Sequence, residues 1–164
     1  MAYTDPTWKA QCTGLLTDLR TIQYRVSRGD TVFAQRVVLT ALAKCGDEIR
    51  GQVLENLNVQ HFTLVPFDQI FEWMSESVRN RGVVIEEDLY RLMEEDVRRH
   101  WLSRDDPAYD ASVPSCEEVL PGYLCPVYHV LTIETPDAGT VLNAIAVLQA
   151  AHERRIRARS ASRQ

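Results

Sequence analysis

Lysine is nearly missing from this 164-residue chain. Lys9 and Lys44 stand alone, and arginine supplies the rest of the positive charge apart from histidine. GC-rich coding produces such a bias, as in some bacteria and large DNA viruses, and so does a preference for bidentate ion pairs. Long apolar runs are also missing. No stretch approaches the ~20 residues that span a bilayer, so a transmembrane helix is excluded. The opening residues MAYTDPTWKAQ lack a basic region followed by an apolar one, and no secretory leader is expected. There is no Gly-rich phosphate loop, nucleophile elbow or Ser/His/Asp spacing, and therefore no catalytic motif to follow. Cysteine is sparse. Cys12, Cys45, Cys116 and Cys125 are widely spread and, without a leader, read as reduced thiols of an intracellular protein, cytoplasmic or nuclear.

What is present is ordinary for one compact domain: 45% hydrophobic and 25% charged residues. The net charge of -5 excludes a wholly basic nucleic-acid surface. Helical periodicity dominates. Asp5-Pro6 opens a stripe Trp8, Cys12, Leu15, Leu19, Ile22 and Val26 that ends near Ser27-Arg28-Gly29. Asp30 or Thr31 caps a second helix through Leu57, in which Gly46 and Gly51 each cost roughly 1 kcal/mol relative to alanine. A third runs from Phe67 to Arg81. A fourth carries Ile85, Leu89, Leu92, Met93, Val97 and Trp101 on one face, with Glu87/Arg91, Glu94/Arg98 and Glu95/Arg99 on the other. A last helix starts at Thr135-Pro136-Asp137 and runs to Arg155, with Val141, Leu142, Ile145, Leu148 and Ala151 inward. His61–Val65 and Val127–Ile133 read as strands that pair into a small sheet. The expected fold is thus α+β, predominantly α: about five helices with a two-stranded sheet. A single domain over 1–153 is followed by a basic tail over 154–164. Trp8, Leu15, Leu19, Phe71, Leu89, Leu92, Trp101, Leu131, Ile133 and Ile145 are the expected core.

Within the second helix, Val38, Leu42, Cys45 and Ile49 recur at spacings of four, three and four, with Gly46-Asp47 between the last two. This resembles the third homology segment of the Bcl family of apoptosis regulators, over residues 38–49. The resemblance implies a helix that enters an apolar groove of a protein partner. Val38, Leu42, Cys45 and Ile49 would be the anchors, Gly46 the close-contact position and Asp47 the partner of an arginine in the groove. The implied function is a non-enzymatic protein-interaction regulator, of viral type, acting on apoptosis without a cofactor. The same spacings also fit a plain core helix in which Gly46 marks a close crossing.

Other patterns supply rival readings. The tail holds Arg154, Arg155, Arg157, Arg159 and Arg163 without an acid, which suits nucleic-acid phosphates, a nuclear address, or control by phosphorylation of Ser160. That reading makes the chain a nucleic-acid-associated or assembly protein, homo-oligomeric in one version. Cys116, Cys125 and His129, with His100 or His61, offer zinc-ligand chemistry, but no tight Cys pair marks a zinc site and no metal is expected. Asp105, Asp106 and Asp110 beside His100 could serve a metal-dependent enzyme, although a solvated loop with Asp-Pro turn chemistry is the commoner use of such residues. Arg28-Gly29-Asp30 reads as a helix connection with Asp30 as cap.

Overall fold

A computed structural model describes residues 2–15 and 18–163, with side chains described except at Ala2 and residues 13–15. Among these, seven α-helices and three 3-10 segments occur and no strand. The expected α+β fold of five helices and a two-stranded sheet is therefore overturned. The helices are α1 (Leu19–Ser27), α2 (Thr31–Lys44), α3 (Asp47–Asn56), α4 (Phe67–Arg81), α5 (Glu86–His100), α6 (Cys116–Thr132) and α7 (Ala138–Ser162). The 3-10 segments are Ala2–Thr4, Pro6–Leu15 and Val59–His61. No helix is long and apolar enough to cross a membrane among the described residues.

Two compact units divide the chain. The first comprises residues 2–15 and 85–132: the first two 3-10 segments, α5 and α6. α5 begins with Glu86, Glu87 and Asp88 and ends with Arg98, Arg99 and His100, which complements the helix dipole at both ends. The buried Glu94 carboxylate accepts from Arg98 at 3.0 Å, and the same guanidinium reaches Cys116 Sγ at 3.6 Å. That fastens α5 to the start of α6. Arg91 pairs with Asp88 and Glu95, not with Glu87.

α6 contains the run expected to be a strand. Short β-branched runs fit a buried helix as well as a strand. Here Val127, His129 and Val130 are buried on a helix that also contains Pro121 and Pro126. An interior proline costs about 3 kcal/mol, so tertiary contacts must hold α6. The principal one is covalent: Cys12 and Cys125 form a disulfide with Cα atoms 5.3 Å apart. His129 Nε2 donates to Cys12 O at 2.7 Å. Trp8 is buried, edge-on to Tyr90 of α5 at 5.2 Å and to Tyr128 of α6 at 5.8 Å. The expectation of four reduced thiols is corrected accordingly: Cys45 and Cys116 are free, Cys12 and Cys125 are not.

The second unit comprises residues 18–84 and 133–163. α2 lies at its centre and packs on α1, α3, α4 and α7. Asp30 caps it, accepting from Val32 N and Phe33 N. The expected continuous first helix is broken, since only a 3-10 turn spans Pro6–Leu15 and α1 starts anew behind Asp18. The other expected strand, 61–65, is coil after a 3-10 turn. Its Thr63 N–H donates to the Gln35 side chain at 3.2 Å instead of to a neighbouring strand. α4 ends at Gly82, whose φ of 74° suits the absence of a Cβ. Of the expected core, Trp8, Phe71, Leu89, Ile133 and Ile145 are buried, whereas Leu19, Leu92, Trp101 and Leu131 are half-buried. Leu15 lies outside the described side chains. Leu142, expected inward on α7, is exposed.

Two free thiols, not four, should titrate in the denatured, unreduced protein. Reduction should destabilise the fold by about 2–5 kcal/mol, the usual cost of losing a native disulfide. Chemical denaturation with and without reductant measures this.

Candidate functional site

The glycine within 38–49 is not inside a helix. α2 stops at Lys44, Cys45 is its C-cap with φ -81° and ψ 166°, and Gly46 is the N-cap of α3 with φ -74° and ψ 174°. The expected single helix from Thr31 to Leu57 is corrected to two helices. Glycine is tolerated at an N-cap, and Asp47 and Glu48 occupy the first turn of α3, where the helix dipole favours carboxylates. A Cβ added at Gly46 would meet nothing within 4 Å, so no close helix crossing requires glycine there. Asp47 is exposed and pairs with Arg50 at 3.0 Å, and Arg50 also donates to Gly82 O at 2.8 Å. Val38 and Leu42 are fully buried on α2, Cys45 is half-buried, and Ile49 is half-buried on α3. These residues do not form one helical face in the folded chain.

The arginine tail is organised differently from a free tail. α7 continues as helix to Ser162. Its inner stripe of Val141, Ala144, Ile145, Leu148 and Ala151 ends at Ala151. Beyond that point Arg154, Ile156, Arg157, Arg159 and Arg163 are exposed. Only Arg155 and His152 stay half-buried. Arg155 donates to Gln60 O at 3.1 Å and approaches His152 Nδ1 at 3.4 Å, which clamps α7 to the 58–61 turn. Arg157 lies 3.8 Å from Glu153. Arg154, Arg159 and Arg163 have no ion pair among the described residues.

The clamp includes two histidines that sequence spacing did not connect. The His61 and His152 rings lie 4.6 Å apart. Asn58 N–H donates to His61 Nδ1 at 3.0 Å, and Asn58 Oδ1 accepts from Gln60 N at 2.9 Å. Burial pushes the His61 imidazole below its ordinary value of 6.5, and the neighbouring His152 and Arg155 push it the same way. The local signal was Asn58 three residues before His61, a capping-box spacing. Nothing in the sequence paired it with His152.

The other candidates serve the fold. Cys125 is bonded to Cys12 and His129 is bound to a backbone carbonyl, so they do not join Cys116 as a ligand set. Among the described residues, no group of three or more His, Cys, Asp or Glu side chains is placed to hold a metal. Asp106 and Asp110 accept from the backbone two residues on, at Ala108 N and Ser112 N, and form Asx turns. His100 Nδ1 faces Asp96 O at 2.8 Å. Ser112 N–H holds the Asp110 carboxyl below the usual range. Gly29, with φ 80°, makes the turn between α1 and α2, and Asp30 caps the second of these.

Comparison with protein families, curated proteins and solved structures finds no match to this chain.

Leu42→Ala should cost ~2–5 kcal/mol by cavity formation, whereas Asp47→Ala should change stability by about 0.5 kcal/mol or less; urea titration separates the two. The His61 shift gives a pH prediction. The folded-state value lies below the unfolded one, so the unfolded chain takes up the proton first. This contribution is complete above pH 6.5 and is lost as pH falls through the folded value. Tm should therefore drop below pH 6.5, and His61→Gln should flatten that drop.

Proposed function

We propose that the chain is a binding protein whose interacting element is the C-terminal half of α7, and that its partner is a phosphate-bearing polymer, a nucleic acid. The observation that carries this reading is the placement of the arginines. Arg154, Arg157 and Arg159 lie on helix that has outrun its packed stripe, so their guanidinium groups are held by an ordered backbone yet face water. Arginine presents a planar fork that suits phosphate oxygens. Its charge at a helix C-terminus also stabilises the helix that displays it.

Charge distribution supports the same reading. Residues 1–16 and 85–132 carry twelve acidic and five basic side chains, a net of -7. The remainder carries eleven and thirteen, a net of +2, and five of those thirteen are the arginines after Glu153. The acid-free cluster of arginines thus lies at one helix end. A partner through residues 38–49 would require α2 to leave its core, because Val38 and Leu42 are already covered.

Fluorescence anisotropy with labelled DNA and RNA tests the proposal. Affinity should fall steeply with salt, with a log–log slope of about -3 to -4 if most of the five arginines meet phosphates. Replacing Arg154, Arg157 and Arg159 together by glutamine should abolish binding and leave Tm within about 2 °C, because these side chains are exposed. Binding that survives this replacement, or that ignores salt, would overturn the reading.

A further inference from the structure

The segment between α5 and α6 is a closed loop with a cavity of its own. Cys116 N–H donates to Leu102 O at 2.8 Å and joins its two ends. Two Asx turns at Asp106 and Asp110 set the path between them. Arg104 fastens the loop to the first turn of α6, its N–H reaching Glu117 at 3.2 Å and its guanidinium Glu118 at 2.9 Å. Ser103 also donates to Glu117, and that bond holds the Glu117 carboxyl at about 2. Compact loops with tied ends and internal packing frequently carry function. This one is fixed by its own hydrogen bonds, so its cavity is formed before any ligand arrives.

The cavity measures about 350 Å³, within the lower range of small-ligand sites. Trp101, Leu102, Tyr109 and Val113 form most of its apolar wall, and His100 and Asp110 are its polar members. Trp101 and Tyr109 are half-buried, whereas Leu102 and Val113 leave 45% and 52% of their surface to water. Neither lysine nor arginine lines it. The arginine on the loop, Arg104, is engaged by Glu118. Asp110 remains ionised, and Asp105 and Asp106 add negative charge on the same loop. His100 Nδ1 donates to the Asp96 carbonyl at 2.8 Å, which fixes the ring at the cavity edge.

We propose that this cavity binds a small organic ammonium ion, an arylalkyl or alkyl amine. Its apolar body would rest against Trp101, Leu102 and Val113. Its charged head would meet the aromatic faces and the Asp110 carboxylate. Aromatic walls attract cations through the ring quadrupole. A carboxylate beside aromatic rings, with no lysine or arginine lining the cavity, favours a positive ligand over a neutral one and repels an anion. The proposal does not depend on α7 or on nucleic acid.

The test uses the full chain and three molecules of one shape: 2-phenylethylammonium, uncharged 2-phenylethanol and anionic phenylacetate. Each is titrated at constant ionic strength while amide and indole resonances are followed by NMR. The ammonium should shift the Trp101 indole and the amides of residues 100–114 saturably. The alcohol should bind at least about tenfold more weakly, and the anion not at all. Asp110→Asn keeps the acceptor that caps Ser112 and removes only the charge, so the loop stays folded while ammonium affinity falls about fivefold, and the preference over the alcohol that remains is the share of the aromatic faces. Equal binding of amine and alcohol, unchanged affinity in Asp110→Asn, or no saturable shift at Trp101 would each overturn the proposal.

Discussion

Nine consecutive residues of α2, Ala34–Leu42, are buried, and the second unit is arranged around that burial. A helix covered on every side must be apolar all round or must satisfy its polar groups internally. α2 does the second at three points. Gln35 exchanges two hydrogen bonds with Thr63, at its side-chain oxygen and its backbone N–H. Thr40 donates back to Arg36 O at 2.9 Å. The Arg36 guanidinium lies over the Phe33 ring at 5.3 Å, and burial lowers its proton affinity. The Gln35 solution and the end of the helix recruit other parts of the chain. Gln35 fixes the approach to α4, and Lys44 donates to Ile133 O at 2.6 Å, holding the entry to α7. The same burial removes Val38 and Leu42 from any role as exposed anchors.

The first unit has no such central helix and relies on a different constraint. Its long helix, α6, contains two prolines. The N-terminal segment is tied to it by a disulfide, by His129 and by the edge-on contact of Trp8 with Tyr128, and to α5 by that of Trp8 with Tyr90. A cross-link that closes a long chain segment restricts the unfolded state, which helps to offset the poor helix propensity of α6. Aromatic contacts add orientation: edge-to-face pairs favour one geometry beyond their buried area. The Tyr90 phenol, buried and bonded to Glu86 at 3.0 Å, has its ionisation pushed far up and remains a neutral donor.

Two places lie where these frames stop constraining side chains. The arginine end of α7 lies past the last buried alanine, and the α5–α6 loop holds apolar residues around a cavity rather than in a core. The two have opposite charge. One offers cationic forks on a helix, the other a carboxylate beside aromatic rings.

Local signals in the sequence determined much of this. Phe67–Arg81 and Glu86–His100 follow from apolar spacing, acidic first turns and a terminal glycine, all within reach of neighbouring residues. The Asp30 and Asp137 caps and the acid-free run of arginines are equally local. Tertiary structure decided the rest. Val127–Ile133 is compatible with strand or helix, and the disulfide and Trp8 contacts belong to the helix. The break at Cys45-Gly46 interrupts an unbroken apolar period, because periodicity records which residues are buried and not whether one helix buries them. Leu142 has the right phase to face inward yet is exposed. Cys12 with Cys125 and His61 with His152 are far apart in the chain, so only the fold could make them partners.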